Sequence, residues 1–293
     1  MPEYKYDYKV IPRDPELNRI WREKTIDFAS RAGKDGETFR GLVLERCRKD
    51  FWYFAEGFCY VFEPRILDDG VDSEYFDPKI PFLAWEHQIP VINGILRVLG
   101  RKDIRIVKSR AQGASWILVL IFLWGWRFWK GFKGNLVSKD EAAVDRREDM
   151  DSLMGKMDWL IRELPVWMIG SRGRHWRRNY GGHTLSRIGR TEAITGYACT
   201  GDVASGGRAL VFGLDEHAKH PRGPDREALA STQPITQCRI FISTPKGSNG
   251  AYYDIVHDDT IEEPVLYLSW RDNPVQNRGL YRIVKGSPVA VDE

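Results

Sequence analysis

Residues 108–115 read K-S-R-A-Q-G-A-S. Two cations, Lys108 and Arg110, share this stretch with Gly113 and the hydroxyl of Ser115. A β-branched run (Ile104, Ile106, Val107) precedes it, and a long apolar segment opens at Trp116. The order is strand, phosphate-sized loop, helix, in which backbone N–H groups and a helix N-terminus point at an anion. The common phosphate-loop pattern is G-x-x-x-x-G-K-S/T. Aligned on Gly113 and Ser115, this sequence has Ala114 where the lysine is expected and Lys108 where the first glycine is expected. Phosphate oxygens need a cation as well as backbone dipoles. Lys108 and Arg110 are the basic side chains within the loop, with Ser109, Ala111, Gln112 and Ala114 completing its backbone. Ser115 is placed to reach Mg²⁺. Taken alone, the stretch also fits an ordinary strand-to-helix turn.

Two further strand ends carry chemistry. Residues 209–217 read A-L-V-F-G-L-D-E-H, a continuous apolar run suited to a strand buried on both faces. It ends in Asp215 and Glu216, where ligands bind in open α/β sheets. Asp215 there can hold Mg²⁺ through water, and Glu216 can polarise an attacking water. Residues 239–247 read R-I-F-I-S-T-P-K-G, again an apolar strand, ending in Ser243 and Thr244. Those hydroxyls suit a terminal phosphate or its attacking water. Upstream, Gln88 carries an amide able both to donate to and accept from an adenine edge. Each feature has a plainer reading: a helix-start glutamine, an acidic pair at a helix N-terminus, a Ser-Thr-Pro turn.

The surrounding elements must position these groups. The N-terminus is polar, with Pro2, Pro12 and Pro15, and reads as an extended arm; residues 16–31 have helical spacing. Residues 38–62 suggest one or two helices with an aromatic core face of Phe51, Trp52, Phe54, Phe58, Tyr60 and Phe62. Residues 66–82, rich in Asp, Gly and Pro, suit a hinge. A helix is expected over 82–99, a short strand at 135–137 and one charged amphipathic helix over 139–160. Residues 171–179 form a basic loop with Arg172, Arg174, His175, Arg177 and Arg178, either solvated or contacting phosphates or a neighbouring subunit. Residues 184–188 and 193–199 suggest a hairpin.

The chain of 293 residues has room for one large α/β domain with additions or for two small domains. Net charge is +3, so any nucleic-acid surface must be local. Cys47, Cys59, Cys199 and Cys238 show no C-x-x-C spacing, which argues against zinc and against a secreted disulfide framework. No signal peptide is visible. The apolar run 116–129 is shorter than the roughly 20 residues a membrane span needs, and Arg127 interrupts it.

Taken together, the three strand ends and the upstream glutamine resemble the additional-strand P-loop ATPases. The nearer resemblance is to the ATPase domain of the large terminase subunit of tailed bacteriophages, over about residues 50–275. That family has a deviant Walker A with its basic residue early in the loop, a Walker B ending in Asp-Glu, and a coupling motif like Ser243-Thr244-Pro245. The resemblance implies an α/β P-loop fold of the RecA-like class, with a mainly parallel central sheet flanked by helices and an N-terminal helical segment. It implies an arm with helices over 1–65, an ATPase domain over 66–275 and a tail or linker over 276–293. It implies Mg-dependent ATP hydrolysis, with ATP held by Gln88 and residues 108–115 (Lys108, Ser109, Arg110, Ala111, Gln112, Gly113, Ala114, Ser115). It places Mg²⁺ at Ser115 and Asp215, catalysis at Glu216 and Arg208, and coupling at Ser243 and Thr244. Arg208 follows two glycines in S-G-G-R and is an expected transition-state cation, with the loop around Arg174 and Arg177 as a second source. Implied partners are double-stranded DNA, a homo-oligomeric ring (a pentamer by family resemblance), the portal protein and the small terminase subunit. The implied location is the host cytoplasm, docked at the procapsid portal, with no membrane association. The family's nuclease domain finds no room before Glu293, and Asp292 and Glu293 are too little for a nuclease site. A helicase-like remodelling ATPase and a non-hydrolysing nucleotide-dependent scaffold are the competing readings.

Overall fold

The computed structural model describes residues 5–64, 78–200, 203, 207–276, 281–284 and 287–290. Most of the expected hinge at 66–82, two residues of the S-G-G-R stretch and the terminal Asp292 and Glu293 lie outside the described residues. In chain order the elements begin with α1 (Pro15–Ser30), α2 (Lys34–Lys49), α3 (Phe51–Phe58), β1 (Tyr60–Phe62), β2 (Lys79–Pro81) and α4 (Ile89–Val98). Next come β3 (Ile104–Lys108), α5 (Ala114–Phe128), β4 (Lys133–Ser138), α6 (Glu141–Val144), α7 (Leu153–Glu163) and α8 (Val166–Ile169). The antiparallel addition follows with β5 (Trp176–Asn179) and β6 (Thr184–Arg187), then β7 (Ala193–Ala198) and β8 (Val211–Asp215). The last are α9 (Pro224–Thr232), β9 (Arg239–Ser243), α10 (Ala251–Val256), β10 (Leu266–Leu268), β11 (Tyr281–Val284) and β12 (Ser287–Ala290).

Eight strands form one sheet in the order β10-β3-β9-β8-β4-β7-β6-β5. β10 through β7 run parallel, and β6 and β5 add an antiparallel edge. The fold is therefore α/β with a mainly parallel sheet, as expected. One strand, β9, separates β3 from β8, so the three chemistry-bearing strand ends are adjacent and point the same way.

Alternation along the strands explains the continuous apolar runs. Val211, Ile240 and Ile242 pack into the core on one face, while Phe212, Leu214 and Phe241 pack into a second cluster with Tyr252 and Ile255 of α10. Both faces are covered, so neither parity of position is polar. Gly213 in β8 lets α5 approach, since a Cβ there would meet Leu118 Cδ1 at 2.8 Å.

Helix α5 is the apolar run that invited the membrane question. At 15 residues it is about 22 Å long. It lies between the sheet and the N-terminal helices, with Trp124 Nε1 donating to Cys47 O at 2.7 Å and Phe51 meeting Trp124 edge-to-face at 5.7 Å. Its all-round hydrophobicity is burial on two sides. No described helix is long and apolar enough to cross a membrane. The aromatic face of α3 is core, with Phe51, Phe54 and Phe58 buried, and the four cysteines are buried and not joined in disulfides.

The structure departs from sequence expectation in four places. Residues 60–62, expected within the helices of 38–62, form strand β1, and Tyr60 and Phe62 are half-buried there rather than on the core face of a helix. The helix expected over 82–99 opens with a 3-10 turn, Glu86–Gln88, before α4. The helix expected over 139–160 is two, α6 and α7. Asp145 closes the first, and Ser152 caps the second by accepting from Gly155 N at 3.0 Å. Half of the expected basic loop is strand β5, with Arg178 fully buried between Asp145 at 2.7 Å and Asp158 at 3.0 Å.

Candidate active site

Three strand ends deliver the site. β3 stops at Lys108, β8 at Asp215 and β9 at Ser243. Between β3 and α5 the loop turns through two left-handed residues, Ala111 (φ 57°) and Gly113 (φ 69°). Gly113 is needed twice over: its φ favours glycine, and a Cβ would stand 2.9 Å from Gln88 Nε2. Ala114, in the usual lysine position, is buried at the first turn of α5 and brings no charge. Arg110 is exposed.

Lys108 is 7% exposed and donates to Glu216 Oε1 at 2.8 Å. Lys219 contacts the other oxygen, Oε2, at 2.7 Å. Burial works to raise the Glu216 carboxyl, but the hydrogen bonds from Lys108 and Lys219 outweigh it and hold the group below its ordinary range. Glu216 itself is left-handed (φ 53°), so the chain kinks directly after β8 and turns this carboxylate away from the strand axis.

Ser115 Oγ donates to Asp215 Oδ2 at 2.7 Å. Asp215 is buried, which pushes its carboxyl up against the opposing pull of Lys108 and Ser115, and its Oδ1 has no hydrogen-bond partner. A buried, orphaned carboxylate oxygen beside a serine hydroxyl suits a hard divalent cation, which takes oxygen ligands and completes its shell with water and phosphate. Ser115 and Asp215 thus fit Mg²⁺.

Two histidines follow. Burial lowers His217 to about 3 and His220 to about 4, so both are neutral near pH 7 and add no charge against the carboxylates. His220 Nε2 donates to Asp215 O at 3.0 Å and ties down the turn. Ser243 Oγ accepts from Ala218 N at 3.0 Å, linking the end of β9 to that same turn. Thr244 Oγ1 is buried without a partner.

Gln88 is used differently from the expected base reader. Its Oε1 accepts from Trp85 N and its Nε2 donates to Gln112 O, both at 2.9 Å, so the carboxamide braces the loop. Arg208 is not brought to the cluster. It is exposed and precedes β8, at the amino-terminal edge of the sheet, one strand length from the carboxylates at the carboxyl edge. Lys108, Ser115, Asp215, Glu216, Gln88, Gln112 and Ser243 are brought together.

Sequence reading passed over Lys219, Lys156, Asn273 and Gln276. Lys156 is 8% exposed, donates to Met150 O at 2.6 Å and lies 5.5 Å from the Trp116 ring at the start of α5. Lys219, three residues after Glu216, was the most readable of them, because a lysine so close to an acidic pair is a local signal.

No family model matches this sequence, and no curated protein does. Among solved structures, the large terminase of bacteriophage HK97 is similar with a TM-score of 0.52 at 14% identity, over 76% of this chain and 43% of that one. The large terminase of a thermophilic bacteriophage, in complex with ATP-gamma-S, gives 0.48 at 16% identity, over 70% and 51%. The large terminase ATPase domain of Thermus phage P74-26 gives 0.41 at 18%, over 61% and 78%. This chain spans less than half the length of the HK97 protein. Over three quarters of its own length, it shares the fold of a bacteriophage large terminase.

Proposed function

We propose that this chain hydrolyses ATP with Mg²⁺ and is the motor domain of a large terminase subunit, driving double-stranded DNA into a procapsid. The observation that carries the reading is the constellation at three adjacent parallel strand ends: Lys108 on Glu216, Ser115 on Asp215, and Ser243 on the turn between them. Lys108 moves from Glu216 to the phosphates and replaces the lysine missing at Ala114, with the loop from Ser109 to Gly113 offering backbone N–H groups. Glu216, released on one side, orients and polarises the attacking water while Lys219 keeps its other oxygen. Ser115 and Asp215 hold Mg²⁺, which supplies charge neutralisation at the phosphates. Thr244, with its unpartnered hydroxyl, and Ser243, bonded to the turn after β8, report the state of the terminal phosphate to the rest of the chain.

Arg208 is exposed before the start of β8 and Glu216 follows its end, so its proposed role is in trans, across a ring of copies. Arg208→Ala and Glu216→Gln, each inactive alone, should regain some hydrolysis when mixed under assembling conditions; a mixture that stays inactive removes the role. The exposed Arg172, Arg174 and Arg177 of the antiparallel edge suit duplex phosphates. Portal protein and small terminase subunit are the proposed partners, at the procapsid portal in the host cytoplasm. The deciding assay is steady-state ATP hydrolysis with and without double-stranded DNA. DNA-stimulated turnover without strand separation supports the motor reading. Strand separation favours a helicase-like ATPase, and nucleotide binding without turnover favours a scaffold.

A further inference from the structure

The carboxamide of Gln112, 1% exposed, is the hub of a network that the proposed chemistry does not use. Its Nε2 donates to Arg110 O at 3.0 Å and to Gln276 Oε1 at 2.6 Å. Its Oε1 accepts from Asn273 Nδ2 at 3.2 Å and pairs with His87 Nε2 at 3.1 Å. An amide side chain has two donors and two lone pairs, so all four are used. Gln276 Nε2 also donates to Arg110 O at 3.0 Å. Asn273 is fully buried, and its Oδ1 accepts from the backbone N–H groups of Val275 and Gln276, which fixes its orientation. Earlier in the same segment, Leu268 O accepts from Ser109 N at 2.9 Å, and Trp270 N donates to Ser109 Oγ at 3.2 Å. Residues 109, 110 and 112 of the phosphate loop are thus all bound by a segment more than 150 residues later. Between them sits Ala111, a non-glycine residue held left-handed. Such a conformation persists where the surroundings over-determine it.

We propose that residues 268–276 form a strap that sets the shape of the phosphate loop, with Asn273 and Gln276 as positioning residues acting through Gln112. The proposal deepens the nucleotide-binding reading and rests on it for its functional consequence. Loss of the strap's contacts therefore changes phosphate affinity, and by reciprocity nucleotide occupancy is felt along residues 268–276.

Gln276 is exposed, so Gln276→Ala leaves the core intact while removing one partner each from Gln112 and Arg110. In nucleotide-free protein, hydrogen exchange of the amides at 109–113 should accelerate, with exchange elsewhere unchanged and the melting temperature lowered by roughly 2–8 °C at most. Mg-ATP affinity should fall about five- to thirtyfold, from one or two lost hydrogen bonds, and KM should rise while kcat holds. Unchanged exchange at 109–113, or acceleration spread over the whole chain, overturns the strap. Faster local exchange with unchanged Mg-ATP affinity overturns its positioning role. A wild-type protein that binds no nucleotide sinks the function reading instead, and the exchange comparison still decides the strap.

Discussion

Replacing Lys108 by methionine keeps most of the apolar stem and deletes the charge. In the free protein the loss falls on Glu216, whose Oε1 lies 2.8 Å from Lys108 Nζ. Removing one partner of a buried ion pair costs about 3–5 kcal/mol. Here Glu216 is 21% exposed and keeps Lys219 at 2.7 Å, so about 1–2 kcal/mol is expected from the discounted range. For a chain of this size that lowers the melting temperature by roughly 2–8 °C. In a Glu216→Gln background most of that loss should vanish, because no carboxylate is left unpaired. With nucleotide the loss falls on phosphate. A charge-assisted contact is worth about 1.5–3 kcal/mol; subtracting the about 1–2 kcal/mol already lost in the free protein leaves up to about 2 kcal/mol, so Mg-ATP affinity should drop by up to about 30-fold. Titration of a fluorescent ATP analogue, alongside thermal melts, measures both. Lys102→Ala is the control: Lys102 is exposed before the amino end of β3 and contacts Glu262 on the surface, so binding should not change. A Lys108→Met protein that binds Mg-ATP as the wild type does would refute the assignment of this lysine to phosphate.

Other consequences are open to measurement. Arg178→Met should cost about 2–3 kcal/mol in a chemical denaturation series, because it removes the buried cation between Asp145, which keeps His183 at 3.0 Å, and half-buried Asp158, whereas exposed Arg177→Met should change little. Burial pushes the Glu56 carboxyl above its ordinary value near 4.5, so the folded chain holds that proton more tightly than the unfolded one. The stability it contributes is present below pH 4.5 and is lost as pH rises through the raised value. Glu56→Gln should therefore melt higher than wild type near pH 7 and show no such gain near pH 4; an equal gain at both pH values would contradict the burial argument.

The three strand ends were legible because a strand covered on both faces must be apolar throughout. Where runs such as 211–214 and 240–242 stop at Asp215 and Ser243, they mark the edge of the sheet. Their order was not legible. Parallel neighbours are joined by long crossovers, and nothing local to 239–243 says that β9 inserts between β3 and β8. Charge patterns were read least well. Arg178 looked like one more arginine of a basic loop, yet it is buried, and its need for Asp145 accompanies the break between α6 and α7. Gln88, whose amide suits an adenine edge on sequence grounds, braces the loop through Trp85 and Gln112, a contact with no local signal in the sequence. Asn273 and Gln276 gave no signal at all, since their role exists only through contacts with residues over 160 positions earlier.

The central claim is that Glu216 works on water while Lys108, Ser115 and Asp215 hold Mg-ATP. Glu216→Gln separates the two, because glutamine keeps the shape and loses the negative charge that orients and polarises water. Paired equilibrium titration and single-turnover hydrolysis of ATP by this variant test it most directly. The account predicts Mg-ATP affinity within a few-fold of wild type and hydrolysis reduced at least about 100-fold, in line with the loss of a general base. Wild-type hydrolysis by Glu216→Gln would contradict it.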